Sequence, residues 1–548
     1  MTQPDDTGDA TSSAADAHQR VADLVEGALD QASDAPPPAD DGGTTDARAP
    51  DKQAKPKGQK RATSPKAGDS DAPRQRAPAQ RDNLLSVCQT VDLWHAPDGT
   101  EYATFAVKAH RENWPIRSRR FKSWLAGRAY AELGIAPGGQ ALEDSLRILE
   151  ARALHEGQER IPIKRTAGRD GKIIIDTGQP DWSVIEVACG GWRTVEHHNW
   201  PIVRSNSTCA LPIPEAGESI DRLRQFLNTT EEADFKMVVG WLVMALGGEG
   251  EFPILSISGE QGTGKSTFTT LLRKLVDPAP IDHRSIPKDI RDLAIAAYNS
   301  HVISFDNVSH IEIDMADAMC RTASGSGFAT RLLHSDKEEN VINIHNPIIL
   351  NGIPSLTERG DLAERMATVR LRVIPENERQ TKRKLGPAFE KEAPYIMGAL
   401  LDGLCSGLRN VESVELPSLP RLADFVIWVE ACAPGLGWAQ GDFAALYANN
   451  RANAADSAFE ADAVAVAIAT MMQARARVTW TGTPTELLAE LALHTSEAAR
   501  HARAWPVTAQ GLGNRMDRAA PLLRRRGVHF EKRHSGQRYY SIWCDPTE

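Results

Sequence analysis

Gly259-Glu260-Gln261-Gly262-Thr263-Gly264-Lys265-Ser266 is the stretch that decides how this chain is read. Before it, residues 252–257 (F-P-I-L-S-I) form an apolar run with the character of a buried strand. After it, residues 267–276 (T-F-T-T-L-L-R-K-L-V) carry an apolar face at helical spacing. A strand, a glycine loop and a helix in that order make a phosphate cradle. Several backbone N–H groups must converge on one point, so Gly259, Gly262 and Gly264 let the chain curl tightly with no side chain in the way. The helix N-terminus adds its dipole and unpaired N–H groups. Lys265 would reach the β and γ phosphates of ATP and Ser266 would hold Mg²⁺, while Glu260, Gln261, Thr263 and Thr267 complete the nucleotide-binding segment.

Outward from this loop, the length of 548 residues predicts three or four domains, because single cores stop growing near ~250 residues. The net charge of −10 excludes a uniformly basic nucleic-acid coat, so local charge is the better guide. Seven cysteines, scattered and without a C-x-x-C pair, fit reduced thiols rather than a disulfide framework or zinc site. No run approaches the ~20 apolar residues of a membrane span, and residues 1–6 lack a basic and hydrophobic signal. A soluble, cytoplasmic protein without membrane contact is expected.

Residues 1–82, rich in Asp, Ala, Pro, Gly, Ser and Thr, offer little apolar surface to offset ordering entropy and are expected to be a disordered tail, acidic first and basic later. Residues 83–215 read as a small α+β domain. Within it, seven basic residues between Lys108 and Arg128 are interleaved with Trp114, Phe121 and Trp124. Aromatics among cations suit stacking on single-stranded bases, and equally suit a core beneath a solvated face. Residues 216–384 hold the phosphate loop, residues 385–482 a helical region, and residues 483–548 a terminal module.

About forty residues after the loop, residues 301–305 (H-V-I-S-F) predict a second apolar strand ending in Asp306-Asn307. An acid at that strand end is the expected partner of Ser266 for Mg²⁺. Asn307 stands where a second acid would polarise the attacking water, which leaves the general base unassigned. Further on, Asn351 follows the apolar residues 347–350; its amide would orient water against the γ-phosphate, or form an Asn-Gly turn with Gly352. Arg359 and Arg365 are candidates for stabilising transition-state charge, with salt bridges to Glu358, Asp361 or Glu364 as the plainer role.

This order of parts resembles the superfamily III helicases of the AAA+ class, especially poxvirus-type primase-helicases and their relatives in phages and mobile elements. The likeness rests on the phosphate loop, Asp306, residues 322–339 and Asn351, and extends over about residues 220–375. It implies an α/β P-loop NTPase core that assembles as a ring, a homo-hexamer, in a bacterial host cell. A hairpin in residues 322–339 would grip DNA with Arg331, His334 and Lys337, and Arg365, or Arg359, would reach a neighbour's nucleotide. Asn307 departs from the paired acids of that family. Residues 83–215 show no D-x-D arrangement, so primase activity is not assigned and a separate primase or replication protein becomes a partner.

At the C-terminal end, residues 484–493, 497–502 and 508–526 read as three helices, followed by strands at 528–532 and 538–543: the pattern of a winged helix. Ten basic residues against two acids lie between Arg500 and Arg538. Arg515, Arg518, Arg524, Arg525 and Arg526 fall on or just after the third helix, and Lys532, Arg533 and Arg538 on the wing, which favours duplex DNA over a docking role. The combined expectation is an ATP-dependent replicative DNA helicase moving on single-stranded DNA. An ATP-gated initiator or loader that does not unwind is the alternative, and a regulatory or defence ATPase a weaker third.

Overall fold

The computed structural model describes residues 80–325, 328–331, 339–342, 344–352, 362, 364–501, 505–535 and 537–545. Of the tail expected over residues 1–82, residues 1–79 lie outside the described residues, as do His334, Lys337 and Arg359, whereas residues 80–82 open a helix; of Arg331 only the backbone is described.

The first elements are α1 (Gln80–Val87), β1 (Asp92–His95), β2 (Glu101–Val107), β3 (His110–Pro115), α2 (Arg119–Leu133), α3 (Gly139–His155) and β4 (Gln158–Glu159). They form a sheet of order β3-β2-β1-β4 backed by the helices. Leu84, Phe105, Phe121, Leu125, Leu146 and Leu149 fill its core. Here the aromatics among the cations find their role. Phe121 and Trp114 are buried, and Phe105, Phe121 and Trp124 pack with ring centroids 4.4–5.7 Å apart. These rings pack on one another, with Trp124 at the half-buried edge of the core. Among the cations, Arg117 binds Glu143 and Glu150, and Arg128 pairs with Glu132 one turn on.

A second sheet, β5 (Thr166–Arg169), β6 (Lys172–Asp176), β7 (Val184–Ala188) and β8 (Gly191–Val195), is an antiparallel meander. Ile174 and Val184 face the core just described, whereas Ile173, Ile175, Ile185 and Val187 join the large central core. Three consecutive isoleucines are the mark of a strand covered on both faces. The meander is therefore shared between two cores, and residues 83–215 are not a body apart. Residues 161–164 give only the isolated bridge between Ile163 and Ile202, because Pro162 has no N–H to donate.

The centre is α4 (Glu232–Gly247), apolar all round and buried from Phe235 to Leu246 apart from Lys236. It is followed by β9 (Ile254–Ser258), α5 (Lys265–Val276), α6 (Ile290–Asn299), β10 (Ile303–Val308), α7 (Ile313–Ser324), the antiparallel pair β11 (Phe328–Arg331) and β12 (Glu339–Ile342), β13 (Ile348–Gly352) and β14 (Met366–Arg370). The strands β10-β13-β9-β14 form a sheet whose neighbours are all parallel. Helices α8 (Lys382–Asn410), α9 (Ala423–Cys432) and α10 (Asp442–Ala461) pack beside it.

The last elements are α11 (Ala463–Ala474), β15 (Trp480–Gly482), α12 (Pro484–Leu493), α13 (Glu497–His501), α14 (Ala509–Arg525), β16 (Val528–Ser535) and β17 (Gln537–Cys544). Leu487, Leu512, Met516, Leu523 and Ile542 share a core with Val464, Ile468 and Met471, so α11 belongs to this C-terminal body, which starts some twenty residues before 483. Among the described residues, no helix is long and apolar enough to cross a membrane.

Candidate functional site

In a parallel sheet all strands end on the same edge, where ligands bind in open α/β folds. The register sets Asn351 beside Ile257, Leu350 beside Phe305, and Arg370 beside Ser258. Asp306, Asn351 and the glycine loop consequently meet at one edge. The loop makes two left-handed turns, at Gly262 (φ 86°) and Gly264 (φ 75°), and Gly264 caps α5. At Gly259 the constraint is space, since a Cβ there would lie 2.8 Å from Thr263 Oγ1 and 3.1 Å from the Leu371 carbonyl. Lys265 Nζ donates to the carbonyl oxygens of Gly259 (2.7 Å) and Glu260 (2.9 Å), so the ammonium lies over the loop.

Ser266 Oγ donates to Asp306 Oδ2 at 2.6 Å, joining the two residues that sequence singled out for a divalent cation. Burial alone would raise the Asp306 carboxyl. The hydrogen bonds from Ser266 and the Asn307 N–H, with His283 and the Asn351 amide nearby, outweigh it and hold the group below the usual carboxylate range. It is therefore an anion at neutral pH. Asn351 lies inside β13 rather than in an Asn-Gly turn and is fully buried. Thr269 Oγ1 donates to its Oδ1 at 2.8 Å, and its Nδ2 makes no hydrogen bond of good geometry although it is buried. A buried donor at this edge is costly unless something accepts from it, and the Asp306 carboxylate is the acceptor at hand. Asn307 is exposed and adopts φ 57°, a left-handed conformation that asparagine tolerates better than most residues.

Arg365 stands at the other end of the sheet. It precedes β14, whose first residue pairs with Ile254, and β9 spans roughly 13 Å from there to the loop. Its Nη1 donates to Glu251 Oε2 at 2.6 Å, so its partner in this chain is an acid far from Asp306. Sequence reading missed a cluster at the loop itself. Asn228 Nδ2 donates to the carbonyls of Thr263 (2.8 Å) and Arg372 (2.9 Å), lacing the loop to the segment after β14. From that segment Ile374 Cδ1 and Arg379 Nη2 come within 3.4 and 3.7 Å of where Cβ atoms on Gly264 and Gly262 would lie. No local pattern announces contacts that span more than a hundred residues.

Of the C-terminal cations, Arg526 pairs with Asp456 at 2.9 Å and lies over the Phe459 ring, and Arg525 reaches the Arg451 carbonyl, so both face α10. Lys532 pairs with Asp517 and Arg533 with Glu531. Arg518, Arg524 and Arg538 are exposed and carry no ion pair among the described residues, and Arg515 is half-buried on α14.

Residues 220–452 match the family model of the actinomycete integrative conjugative element replication protein, and residues 464–546 match the model of the RepA C-terminal domain of those elements. Over these two stretches the chain is similar to RepA replication proteins of such elements. The second match begins within α11, where the C-terminal core begins. No curated protein matches the chain. Among solved structures, the A-form apo structure of the NrS-1 C-terminal region is 12% identical with a TM-score of 0.37, covering 85% of this chain and 99% of that one. The apo structure of the NrS-1 C-terminal region (305–718) is 12% identical with a TM-score of 0.38, covering 85% and 98%.

Proposed function

We propose that this replication protein is a Mg²⁺-dependent ATPase with a P-loop NTPase core of the AAA+ superfamily III type, coupled to DNA unwinding within a ring. The observation that carries the reading is the Ser266 to Asp306 contact of 2.6 Å directly beside the glycine loop, with the buried amide of Asn351 on the same edge. A hydroxyl and an ionised carboxylate held together fit a hard divalent cation, and the loop N–H groups with the α5 N-terminus fit phosphate oxygens. When bound there, Mg²⁺ would supply neutralisation of the phosphate charge. Lys265 would leave the loop carbonyls for the β and γ phosphates, and Asn351 Nδ2 would donate to the attacking water or the γ-phosphate. The exposed cations Arg518, Arg524 and Arg538, on a body read as a winged helix, support duplex DNA contact.

The test is ATP hydrolysis with and without single-stranded DNA, together with strand displacement from a forked duplex. Lys265→Ala should abolish both activities while the circular dichroism spectrum and melting temperature stay those of the parent. Normal turnover by that variant would remove the assignment. Asn307 favours a second reading, an ATP-gated initiator or loader, since an amide and not an acid follows Asp306 in the chain. ATP-dependent assembly on DNA without strand displacement would establish it instead. Asn307→Asp should then hydrolyse faster than the parent, and an unchanged rate would put the base elsewhere.

A further inference from the structure

A cavity of about 280 Å³ lies between the first sheet and the N-terminal end of β10, at the far end of that strand from Asp306. One wall carries Ala96, Pro97 and Tyr102, another Ile161, Pro162 and Lys164, and the base comes from the end of α6 with Tyr298 and Asn299. Its size sits at the lower bound of roughly 300–1,000 Å³ for ligand sites. The Lys164 ammonium lies 4.3 Å from the Tyr298 ring centroid, and no ion pair or hydrogen bond holds it among the described residues. The titratable groups facing it are Asp98, Tyr102, Arg204, Asp277, Tyr298 and His301. Arg204 is committed to Asp176, and Asp277 to Arg165, leaving the exposed Asp98 at the rim as the nearest free charge. Burial therefore pushes the lysine down to about 8, with Asp98 opposing only in part.

A half-buried cation with a ring as its main contact lacks the partner that would repay its desolvation. One cation, partly offset by one rim acid, matches the one or two negative charges of a single phosphate and not a triphosphate. With Asp277 taken up by Arg165, the lining keeps no free pair of carboxylates for a metal, and its Ile161, Pro162 and Val203 side suits an uncharged, flat or sugar-like body. We propose that this cavity is a second nucleotide-sized site, separate from the phosphate loop, which takes one nucleoside monophosphate unit with its phosphate on Lys164. That unit is either free or a link in a single strand.

The probes are thymidine monophosphate and a fluorescent oligothymidylate, titrated into the full chain without ATP and compared with Lys164→Met. The substitution removes a charge that burial already disfavours, so the fold should persist, as its melting temperature would verify. Removing a charge-assisted hydrogen bond should weaken affinity about tenfold. Binding above pH 8 should also take up a proton, because the phosphate restores the charge that burial had removed. That uptake, read by calorimetry in buffers of different ionisation enthalpy, should vanish in Lys164→Met. Lysine-dependent binding of the monophosphate alone identifies a free-nucleotide site, and of the oligonucleotide a strand site. If neither probe binds, or if binding and proton uptake are the same in Lys164→Met, the proposal fails. Asp98→Asn should tighten whichever probe binds, and weaker binding by that variant would equally count against it.

Discussion

Thr269 is a residue whose importance depends on a single hydrogen bond. By donating to Asn351 Oδ1 it fixes which way the buried amide points, leaving Nδ2 for the edge where the glycine loop lies. Thr269→Val keeps the shape and removes the hydroxyl. A hydrogen bond of this kind is worth about 1 kcal/mol, so without it kcat for ATP should fall roughly fivefold to tenfold. KM should hardly move, and Thr269→Ser should recover the rate. A change confined to KM, or no recovery with serine, would mean that Thr269 only fills space. Lys265, Ser266 and Asp306 stood out in the sequence because each occupies a set place relative to a glycine loop or a strand end. Thr269 did not, since a threonine on an amphipathic helix announces nothing until its partner, 82 positions away, is known.

At the scale of elements, α11 shows how an alanine-rich stretch hides a boundary. Val464, Ile468 and Met471 pack on α12 and α14, so a chain ended at residue 482 would leave that face exposed. Burying each such side chain is worth about 1.5–3 kcal/mol. Truncation after 482 should therefore aggregate or melt earlier than truncation after 462, with light scattering during a thermal ramp as the measurement. Equal behaviour of the two would show that α11 stands without its partners. The same body carries the exposed cations proposed to meet DNA. Replacing Arg518, Arg524 and Arg538 together should lower the salt dependence of duplex binding, the slope falling by up to ~0.9 for each phosphate no longer neutralised. Changing Arg526 instead should cost stability through its pairing with Asp456 and its place over Phe459, with little change in the salt slope.

Across the whole molecule, one buried ion pair ties the N-terminal part to α5. Arg165 Nε donates to Asp277 Oδ1 at 3.1 Å, and the His301 and Val302 N–H groups donate to Oδ2, each at 3.0 Å. Asp277 caps the end of α5 opposite Lys265. Burial alone would raise its carboxyl, but Arg165, His301, Arg273 and the Val302 N–H together outweigh this and hold it below its ordinary value. A depressed carboxylate stabilises the fold above its unfolded pKa, and that contribution disappears as pH falls through the folded one. Asp277→Asn should cost about 3–5 kcal/mol at neutral pH by leaving Arg165 buried without its anion. The penalty should shrink as the solution is acidified, as denaturant melts at neutral and acidic pH would reveal. A constant difference across that range would take the pair out of the acid response.

By itself, the sequence determined the chemistry that is local. Glycines that only a tight loop requires, an apolar strand ending in Asp306, and a helix beginning at Lys265 are each legible within a dozen residues, because backbone freedom and side-chain period act at short range. The terminal helices and strands were legible for the same reason, with their caps and turn residues in place. Tertiary structure alone decided what depends on meetings between distant segments. It brought Ser266 to Asp306, turned Asn351 into the sheet, and set Asn228 and Arg379 at the loop. It put Arg365 at the opposite end of the sheet and packed Phe121 and Trp124 on one another. A segment's own residues determine which side chains it can offer, but only packing settles which of them a neighbouring strand or helix covers, since burial is a property of the pair and not of either partner.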